Sequence, residues 1–354
     1  MKVKRNQFKS RKNHIYIFNL SSNLDDPSLA FTSDWIRAFS KDFESVSVFS
    51  TKVGRTELIP NVTYLETGGG TIKNRIYAII RLYKSMNQIF KNRKSSIVFH
   101  HMSTKTCLIV GPLLRLIGVP QGLWYSHSKK GIELRLSSKI VNRIFSSTQS
   151  ALPIKNKKAI FVGHGIDTSK FQVGHLEMRK NRILSLGRIA RVKNNEALIR
   201  AVAEAACEIK DVYLVGPLSN EPGYLNELEN FGTSLGVNVH FIPSVPYEAI
   251  PSLLDQYSAC YTGSPNSVDK SVIEGAMSGC FTIAAQDFVL DQTGMREILV
   301  LQGFNITPKL DQQIRIVNEL FYEEALRRKL SNEAKRRNNV ENTVSMIATE
   351  LSRV

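Results

Sequence analysis

The chain has 354 residues, which is too long for one compact core, so its length predicts about two domains. With 42% hydrophobic, 8% aromatic and 22% charged residues, the composition excludes a largely disordered or collagen-like protein. The net charge of +16 is divided unevenly: residues 1–170 hold 28 Lys or Arg against 9 Asp or Glu, and residues 171–354 hold 19 against 22. The basic first half suits a nucleic acid, a phosphorylated substrate or an anionic membrane surface.

No segment reads as a membrane span or a secretory signal. The longest apolar stretch, residues 107–119, is interrupted by Arg115 and is too short to cross a bilayer. The first twelve residues hold six Lys or Arg without the apolar segment and cleavage site of a signal peptide. The four Cys lie far apart and form no Cys-x-x-Cys pair, which predicts reduced thiols in a cytoplasmic protein.

Short apolar strands alternate with helices along the first half of the chain. Strands are predicted at residues 14–20, 45–50, 97–100, 122–125, 143–146 and 159–162. Helices are predicted at 34–41, at 73–94 and in the Leu-rich segment between the third and fourth strands. In the helix over 73–94, an inward-packing stripe is expected, with the seven Lys and Arg pointing outwards; the stripe comprises Ile76, Ile79, Ile80, Tyr83 and Phe90.

The alternation restarts after a turn-rich segment at residues 163–171. Strands are predicted at 183–186, 212–215, 237–242, 260–263 and 281–285, and helices at 194–207, 224–235, 247–257, 271–278 and over most of the chain after 307. The sequence thus predicts an α/β protein of two Rossmann-like doubly wound domains facing a cleft, with ligands at the carboxyl ends of the strands. The predicted bounds are 1–168, 169–335, and 336–354 for a C-terminal helix that packs back on the first domain.

The segment from Gly187 to Asn194 follows a predicted strand and precedes a predicted helix. Such a turn presents free backbone N–H groups and the positive end of a helix dipole. Arg188 adds a bidentate donor and Lys193 a point charge, which together suit a diphosphate without a metal. The alternative is a solvated basic loop. A P-loop and a standard dinucleotide site are disfavoured, because neither glycine pattern is present.

Residues 269–279 again begin where a predicted strand ends. Asp269 and Ser271 suit a helix N-terminus, and Glu274 follows about one turn later among apolar neighbours. This carboxylate needs a partner, because an unpaired charge is costly to bury. One candidate is a vicinal diol such as a ribose, since a carboxylate accepts from both hydroxyls; the other is an ion pair with a neighbouring Lys or Arg.

These stretches carry a family resemblance, which is best over residues 159–300. The chain resembles the retaining group 1 glycosyltransferases (family 4), nucleotide-sugar enzymes of the GT-B architecture. Four segments are similar to the family's motifs and follow in its order: the interdomain segment 164–171, Gly187-Arg188 with Lys193, the strand and loop 239–246, and Glu274-Gly275-Ala276-Met277-Ser278-Gly279.

The resemblance implies a donor site in the second domain. Gly187, Arg188 and Lys193 would hold the donor diphosphate, and Glu274 would bind the nucleotide ribose. The other donor-binding residues that it implies are Ser244, Val245, Asn266, Val268, Asp269, Lys270 and Ser271. Arg188 and Lys193 would also act in catalysis by stabilising the leaving diphosphate, so that no cofactor and no metal is expected.

The chain departs from the family pattern at three places. Asn266 stands where the family has the first Glu of a Glu-x7-Glu pair, and an Asn supplies no negative charge at the anomeric carbon. Residues 267–270 form instead the Ser-x-Asp-Lys run that some relatives carry. Residues 21–27 replace the family's Gly-Gly loop after the first strand, and His164 replaces a common Asn.

Two predicted strands of the first domain end in histidines, as in the family. For His100 and His101, a side chain that is satisfied at a strand end is the favoured interpretation. Residues 124–127 are similar to the strand whose terminal His approaches the donor sugar, which makes His127 a catalytic candidate. For His127 a purely structural role stays equally open.

The sequence therefore predicts a retaining hexosyl- or related glycosyltransferase that moves a sugar from a nucleotide diphosphate sugar to a glycan or lipid-linked glycan in cell-surface polysaccharide synthesis. It would be cytoplasmic and peripheral on the inner face of the membrane, where the basic domain meets an anionic surface. The competing hypothesis, which Asn266 favours, is a catalytically silent GT-B protein that binds sugar nucleotides or a partner. A nucleic-acid partner is not expected, because no recognised binding motif is present.

Overall fold

In the computed structural model, which describes residues 13–26, 29–68, 72–127, 129–218, 221–304, 307 and 309–354, strands and helices alternate and divide into two units. The first unit runs to Gly165 and includes Val340–Val354; the second is Ile166–Asn339. The chain divides after residues 165 and 339, whereas the sequence predicted divisions after residues 168 and 335. Some predictions concern residues or side chains outside the described ones, namely the basic residues of 1–12, Pro27, Lys73, Arg75, Ile79, Arg81 and Lys84.

The sheet of the first unit has seven strands: His14–Ser22 (β1), Ser45–Val53 (β2), Val62–Glu66 (β3), Ser96–His101 (β4), Gln121–Trp124 (β5), Arg143–Ser146 (β6) and Ala159–Phe161 (β7). They pair in parallel in the order β3-β2-β1-β4-β5-β6-β7. The sequence did not predict β3, because this edge strand is only partly buried and no apolar run marks it.

Four helices connect these strands: Thr32–Asp42 (α1), Ile72–Lys91 (α2), Thr104–Leu116 (α3) and Ile132–Ile140 (α4). Successive side chains of each strand point to opposite faces of the sheet, and the helices cover both faces. On one face, Ile15 and Ile17 of β1 pack with Trp35 of α1. On the other, Tyr16 and Phe18 pack in a separate core with residues of α2 and α3.

The predicted orientation of α2 is wrong. Four residues of its expected inward stripe are instead 43% to 55% exposed: Ile76, Ile80, Tyr83 and Phe90. The buried face is formed by Leu82, Met86 and Ile89. Both faces of α2 are apolar, and periodicity alone does not tell which of them meets the sheet.

The second unit has five strands, Lys180–Leu186 (β8), Asp211–Val215 (β9), Asn238–Ile242 (β10), Tyr257–Thr262 (β11) and Phe281–Ala284 (β12). Its helices are Asn195–Ala205 (α5), Tyr224–Ser234 (α6), Ile250–Leu254 (α7), Lys270–Met277 (α8), Asp287–Thr293 (α9), Met295–Leu301 (α10), Leu310–Glu319 (α11) and Glu324–Asn338 (α12). The strands are parallel in the order β10-β9-β8-β11-β12, so that the strand order reverses between β8 and β11.

The single helix predicted over residues 247–257 is wrong. Tyr247–Ala249 is a 3-10 turn, α7 is only five residues long, and Tyr257 already belongs to β11. Pro251 lies in the first turn of α7. Backbone N–H groups have no partner within the helix at this position, so the N–H that proline lacks costs no hydrogen bond. Tyr257 is buried and pairs with β8, so the strand begins before the predicted residue 260.

The carboxyl end of α8 is held by three side chains, one that precedes β8 and two from α12. The carbonyls of Met277, Ser278 and Gly279 accept hydrogen bonds from Ser331 Oγ, Arg179 Nη2 and Arg327 Nη1, the last at 2.9 Å. Both arginine side chains are buried. Cations at the carboxyl end of a helix also stabilise its dipole, so these contacts fix α8 in place.

The last helix, Val340–Ser352 (α13), belongs to the first unit although it follows the whole second unit in the chain. Its residues Val344, Ile347 and Leu351 are fully buried. A Cβ added at Gly122 of β5 would lie 2.9 Å from Leu351 Cδ1, so helix and strand are in close contact. Among the residues that the structure describes, no helix combines the length and hydropathy that a membrane span requires.

Candidate functional site

Two loops follow β8 and β11, at the reversal of strand order where open α/β sheets bind ligands. They comprise residues 187–194 and 263–269. The loops are in contact, because a Cβ at Gly263 would lie 2.2 Å from the Lys193 carbonyl oxygen. Tyr261 at the end of β11 donates a hydrogen bond of 2.8 Å to the Asn194 carbonyl. The predicted phosphate loop and the predicted N-terminus of α8 are thereby brought together.

Lys193 is held by a polar cluster at the end of β11. Its Nζ lies 2.7 Å from Asp269 Oδ1 and 3.0 Å from Ser264 Oγ. The other carboxylate oxygen of Asp269 accepts from Ser264 Oγ at 2.9 Å and from Thr262 Oγ1 at 2.5 Å. An ammonium group has three donors, and no described residue accepts from the third. Lys193 is therefore fixed in position and still able to donate to a ligand.

Arg188 differs from the other arginine of the same loop. Its side chain is exposed, and it has no hydrogen-bond or ion-pair partner among the described residues. Arg191, in contrast, pairs with Glu227 at 2.6 Å, with Glu221 at 3.3 Å and with Glu196 at 3.8 Å. The loop thus contains one arginine that is occupied by acidic neighbours and one whose donors are available to a ligand.

Glu274 is 4% exposed and has the ion pair that was one of its two predicted partners. Lys270 Nζ lies 2.8 Å from Glu274 Oε1, and Tyr247 OH donates to the same oxygen at 3.0 Å. Lys270 also donates to Tyr247 OH at 2.7 Å, and its Nζ lies 4.3 Å from the centre of the tyrosine ring. The carboxylate is therefore paired with a cation and fixed on one side.

Asp269 and Ser271 lie at the N-terminus of α8, as predicted, but neither side chain caps the helix. Asp269 occupies the N-cap position, but its carboxylate makes no capping hydrogen bond and turns to Lys193, Thr262 and Ser264 instead. Ser271 Oγ donates to the Leu186 carbonyl at 2.7 Å and so ties α8 to the end of β8. A charged partner within reach outcompetes a backbone N–H for the carboxylate.

The other predicted donor-binding residues lie in segments that follow strands of the same sheet. Gly187 follows β8 with φ +142°, Val268 is buried, and Asn266 is exposed in the second loop. Ser244 is exposed and Val245 half-buried in the segment after β10. The structure brings together Gly187, Lys193, Asp269, Lys270, Ser271 and Glu274, whereas no described contact joins Ser244, Val245 or Asn266 to them.

His127 belongs to the first unit and is exposed after β5. Its backbone N–H donates to the Ala151 carbonyl at 3.0 Å, and its Nδ1 accepts from the Lys129 backbone N–H at 2.9 Å. An Nδ1 that accepts places the proton of a neutral imidazole on Nε2. His127 is therefore oriented, with an Nε2–H donor.

The two histidines at the end of β4 are part of the core. Burial lowers the pKa of both His100 and His101 to about 4, so both rings are neutral near pH 7. His100 Nε2 lies 3.3 Å from Gln121 Oε1, and His101 packs against Trp35 with ring centres 4.9 Å apart. Their burial agrees with the structural interpretation, but the rings are not fully satisfied, because His100 Nδ1 and His101 Nε2 have no hydrogen-bond partner among the described residues.

Three residues of the site were missed by sequence reasoning. Thr262 is the last residue of β11, and Ser264 follows it closely. Small polar residues at the carboxyl end of a buried strand, where the strand order reverses, are typical of a ligand site, and this pattern could have identified both residues. Tyr247 lies 27 residues before Glu274, and only the tertiary fold brings it to the carboxylate. No sequence pattern pointed to it.

No protein-family model and no curated protein matches the chain, whereas solved structures do. The chain is similar to Anabaena Alr3699/HepE in complex with UDP-glucose, with 16% identity, a TM-score of 0.71 and coverage of 96% of this chain and 100% of that one. A glycosyltransferase from Rickettsia africae is similar at 12% identity, TM-score 0.69 and coverage of 96% and 98%. A putative UDP-N-acetylglucosamine 2-epimerase from Listeria monocytogenes is similar at 13% identity, TM-score 0.60 and coverage of 97% and 96%.

These likenesses show the fold. The chain has the GT-B fold of the glycosyltransferase structures, with two units that each contain a parallel sheet between helices. The predicted α/β class and GT-B architecture are confirmed. A retaining mechanism and membership of family 4 stay predictions, as do the roles of the individual residues.

Proposed function

We propose that the protein is a retaining glycosyltransferase that moves a hexosyl or related sugar from a nucleotide diphosphate sugar to an acceptor. The observation that carries this proposal is the pair of basic groups at the reversal point of the second sheet. Arg188 is exposed without a partner among the described residues, and Lys193 is fixed with one donor unused. Similarity to Anabaena HepE, which was solved with UDP-glucose, supports a nucleotide sugar as donor.

The chemistry required of these residues is stabilisation of a leaving group. As the bond between the sugar and the diphosphate breaks, negative charge grows on the phosphate oxygens. Arg188 offers a bidentate fork and Lys193 a positioned ammonium, and donors fixed in advance of the reaction stabilise such charge best. Glu274 would hold the nucleoside through its ribose hydroxyls. In the first unit, Nε2–H of His127 would donate to the sugar near the reacting carbon.

The nucleotide-binding role of Glu274 is tested by its substitution with Gln. We expect Glu274→Gln to weaken nucleotide binding by about 10- to 100-fold, because a hydrogen bond to a charged group contributes about 1.5 to 3 kcal/mol. Thermal shift with UDP, GDP and ADP measures this, since a ligand at 100 times its Kd stabilises by roughly 2.7 kcal/mol. Glu297→Gln, on the surface of α10, is the matched control. An unchanged shift in Glu274→Gln would contradict the assignment.

Turnover is expected without a divalent metal. Arg188 and Lys193 supply the positive charge that a metal ion supplies in other phosphate-binding sites. Activity after exhaustive treatment with EDTA should therefore equal that of the untreated enzyme. Loss of turnover in EDTA that Mn²⁺ or Mg²⁺ restores would show that the two side chains do not suffice.

A catalytically silent GT-B protein that binds sugar nucleotides or a partner is the second candidate function. Asn266 favours it, because this residue is exposed and uncharged where the family resemblance calls for a carboxylate. The free donors of Arg188 and Lys193 argue against a pure scaffold that binds only a partner, because such a protein has no need of them. Nucleotide binding without transfer or hydrolysis of any donor sugar would decide for the silent protein.

We also propose the setting of the reaction. The acceptor would be a glycan or lipid-linked glycan in cell-surface polysaccharide synthesis, and the enzyme would be cytoplasmic and peripheral on the inner face of the membrane. The excess of Lys and Arg in residues 1–170 supports an anionic membrane as partner.

A further inference from the structure

Three helices of the first unit carry large apolar side chains on their exposed sides. Leu116 is 83% exposed, Ile132 73%, Tyr77 61% and Ile76 55%. We call the whole set the apolar face: Ile76, Tyr77, Ile80 and Tyr83 of α2; Ile109, Leu113 and Leu116 of α3; Ile132 and Leu136 of α4. Exposed apolar residues are ordinary when scattered, but a continuous group marks an interaction surface.

The apolar face is continuous because its helices are neighbours. Tyr83 OH donates to the Ile109 carbonyl at 3.1 Å, which joins α2 to α3. Arg115 at the end of α3 donates to the Ile140 carbonyl of α4 at 2.8 Å. Within each helix the apolar residues are spaced by three or four positions and therefore form one stripe: 76, 80 and 83; 109, 113 and 116; 132 and 136.

The surroundings of the apolar face are basic. Residues 67–166 contain 17 Lys or Arg and a single acidic residue, Glu133. On α4 the exposed Arg135 and Lys139 interleave with Ile132 and Leu136. Other exposed basic residues lie on α3 and just before α4, namely Lys105, Arg115, Lys129 and Lys130. None of these six cations forms an ion pair with a described residue, so no described acidic group compensates their charge.

We propose that the apolar face is the membrane-docking surface, with its apolar side chains inserted into the interface of a bilayer rich in anionic lipids. This deepens the proposed function by replacing a purely electrostatic attachment with an amphipathic one. Tyr and aliphatic side chains enter the boundary between headgroups and acyl chains, while Lys and Arg extend along it to the phosphates. Charge brings the protein to the surface, and apolar burial keeps it there.

Two other occupants of the apolar face fit less well. A second copy of this chain would bring two uncompensated basic surfaces together and would be repelled. A nucleic acid would neutralise the charge and could stack bases on Tyr77 and Tyr83, but it would leave the aliphatic side chains that make up most of the face without an apolar partner. An anionic bilayer satisfies both the charge and the apolar side chains.

Sedimentation of the full chain with vesicles tests the proposal. We expect binding to phosphatidylcholine vesicles that contain phosphatidylglycerol, and much weaker binding to pure phosphatidylcholine. The double variant Leu116→Ser/Ile132→Ser should bind the anionic vesicles on the order of 10-fold more weakly, because less apolar area enters the interface. Arg135→Gln/Lys139→Gln should also bind more weakly, with a reduced dependence on salt.

Two control variants make the same kinds of substitution outside the apolar face. Leu58→Ser alters a fully exposed leucine beside Glu57, which pairs with Arg37 of α1 on the opposite face of the sheet. Lys180→Gln/Lys210→Gln removes two exposed charges from the second unit. Both controls should bind like the wild type, and unchanged melting temperatures should show that all four variants fold.

Three results would overturn the proposal. They are equal binding of the Leu116/Ile132 variant and the wild type, equal binding to anionic and neutral vesicles, and a dimer in solution that the Leu116/Ile132 variant abolishes while the wild type binds no vesicles. Sedimentation needs neither donor nor turnover, so a failure of the proposed transferase activity would not affect it. Transfer to a soluble acceptor without vesicles should be retained in the Leu116/Ile132 variant.

Discussion

Lys193→Met is expected to lower kcat/KM for sugar transfer by about 10²- to 10³-fold, the usual loss when one fixed donor to a developing charge is removed. The fold should be retained, because Asp269 keeps its hydrogen bonds from Thr262 and Ser264. Steady-state kinetics with the donor sugar measures the effect, and Arg188→Ala should behave similarly. The reason is the same for both, since each would donate to the leaving diphosphate under the proposed function.

Arg191→Met is the matched control for Lys193→Met. It removes a cation from the same loop, but this cation forms ion pairs with three glutamates at the surface. Its effect on kcat/KM should be small. If Arg191→Met and Lys193→Met were equally impaired, or both fully active, the diphosphate would not be bound by this loop as proposed. The double variant Lys193→Met/Asp269→Asn should be no worse than Lys193→Met, because Asp269 acts by positioning Lys193.

Arg327→Met is expected to lower the free energy of unfolding by about 3 to 5 kcal/mol, since each buried acceptor left unpaired costs about 1 to 3 kcal/mol. Arg327 is fully buried and donates to the carbonyls of Ser258, Gly279 and Phe321. Burial lowers its pKa to about 10, which still leaves the guanidinium charged near pH 7. Chemical denaturation of both proteins measures the difference.

Arg328→Met is the control for this loss of stability. Arg328 is the next residue on α12, is exposed, and pairs only with Glu324 among the described residues. Its removal should change the free energy of unfolding by less than about 0.5 kcal/mol, as for most surface residues. A comparably small effect of Arg327→Met would mean that water or a backbone shift satisfies the three carbonyls.

The alternation of strands and helices was readable because parallel sheets bury their strands as short apolar runs. The elements that were not predicted either lack an apolar run or have a spacing of apolar residues that is typical of another kind of element. β3 is a half-exposed edge, and in α4 the apolar residues Ile132, Leu134 and Leu136 alternate as they would in a strand. For α2 the sequence analysis recognised one apolar stripe and assigned the Lys and Arg to the other face, whereas Leu82, Met86 and Ile89 form a second apolar face, which meets the sheet.

The candidate site was predictable as a set of segments and not as a network. The position of Lys193 behind a strand, and the four-residue spacing of Lys270 and Glu274 on one helix, are visible in the sequence. The pairing of Lys193 with Asp269 is not, because 76 residues separate them and the contact depends on β8 and β11 being neighbours. For the same reason the sequence placed Asp269 at the N-terminus of α8 but did not show that its carboxylate turns to Lys193.

The chain order of α13 has a consequence for biosynthesis. On the ribosome, all of the second unit is translated between β7 and the helix that completes the core of the first. All of residues 166–339 are therefore synthesised before β5 and β6 can receive the cover of Val344, Ile347 and Leu351. The N-terminal part of a chain usually folds first, whereas here the first unit is completed last. A released chain that ends at residue 339 should accordingly leave β5 and β6 uncovered and recruit chaperones to the first unit, while its second unit is folded.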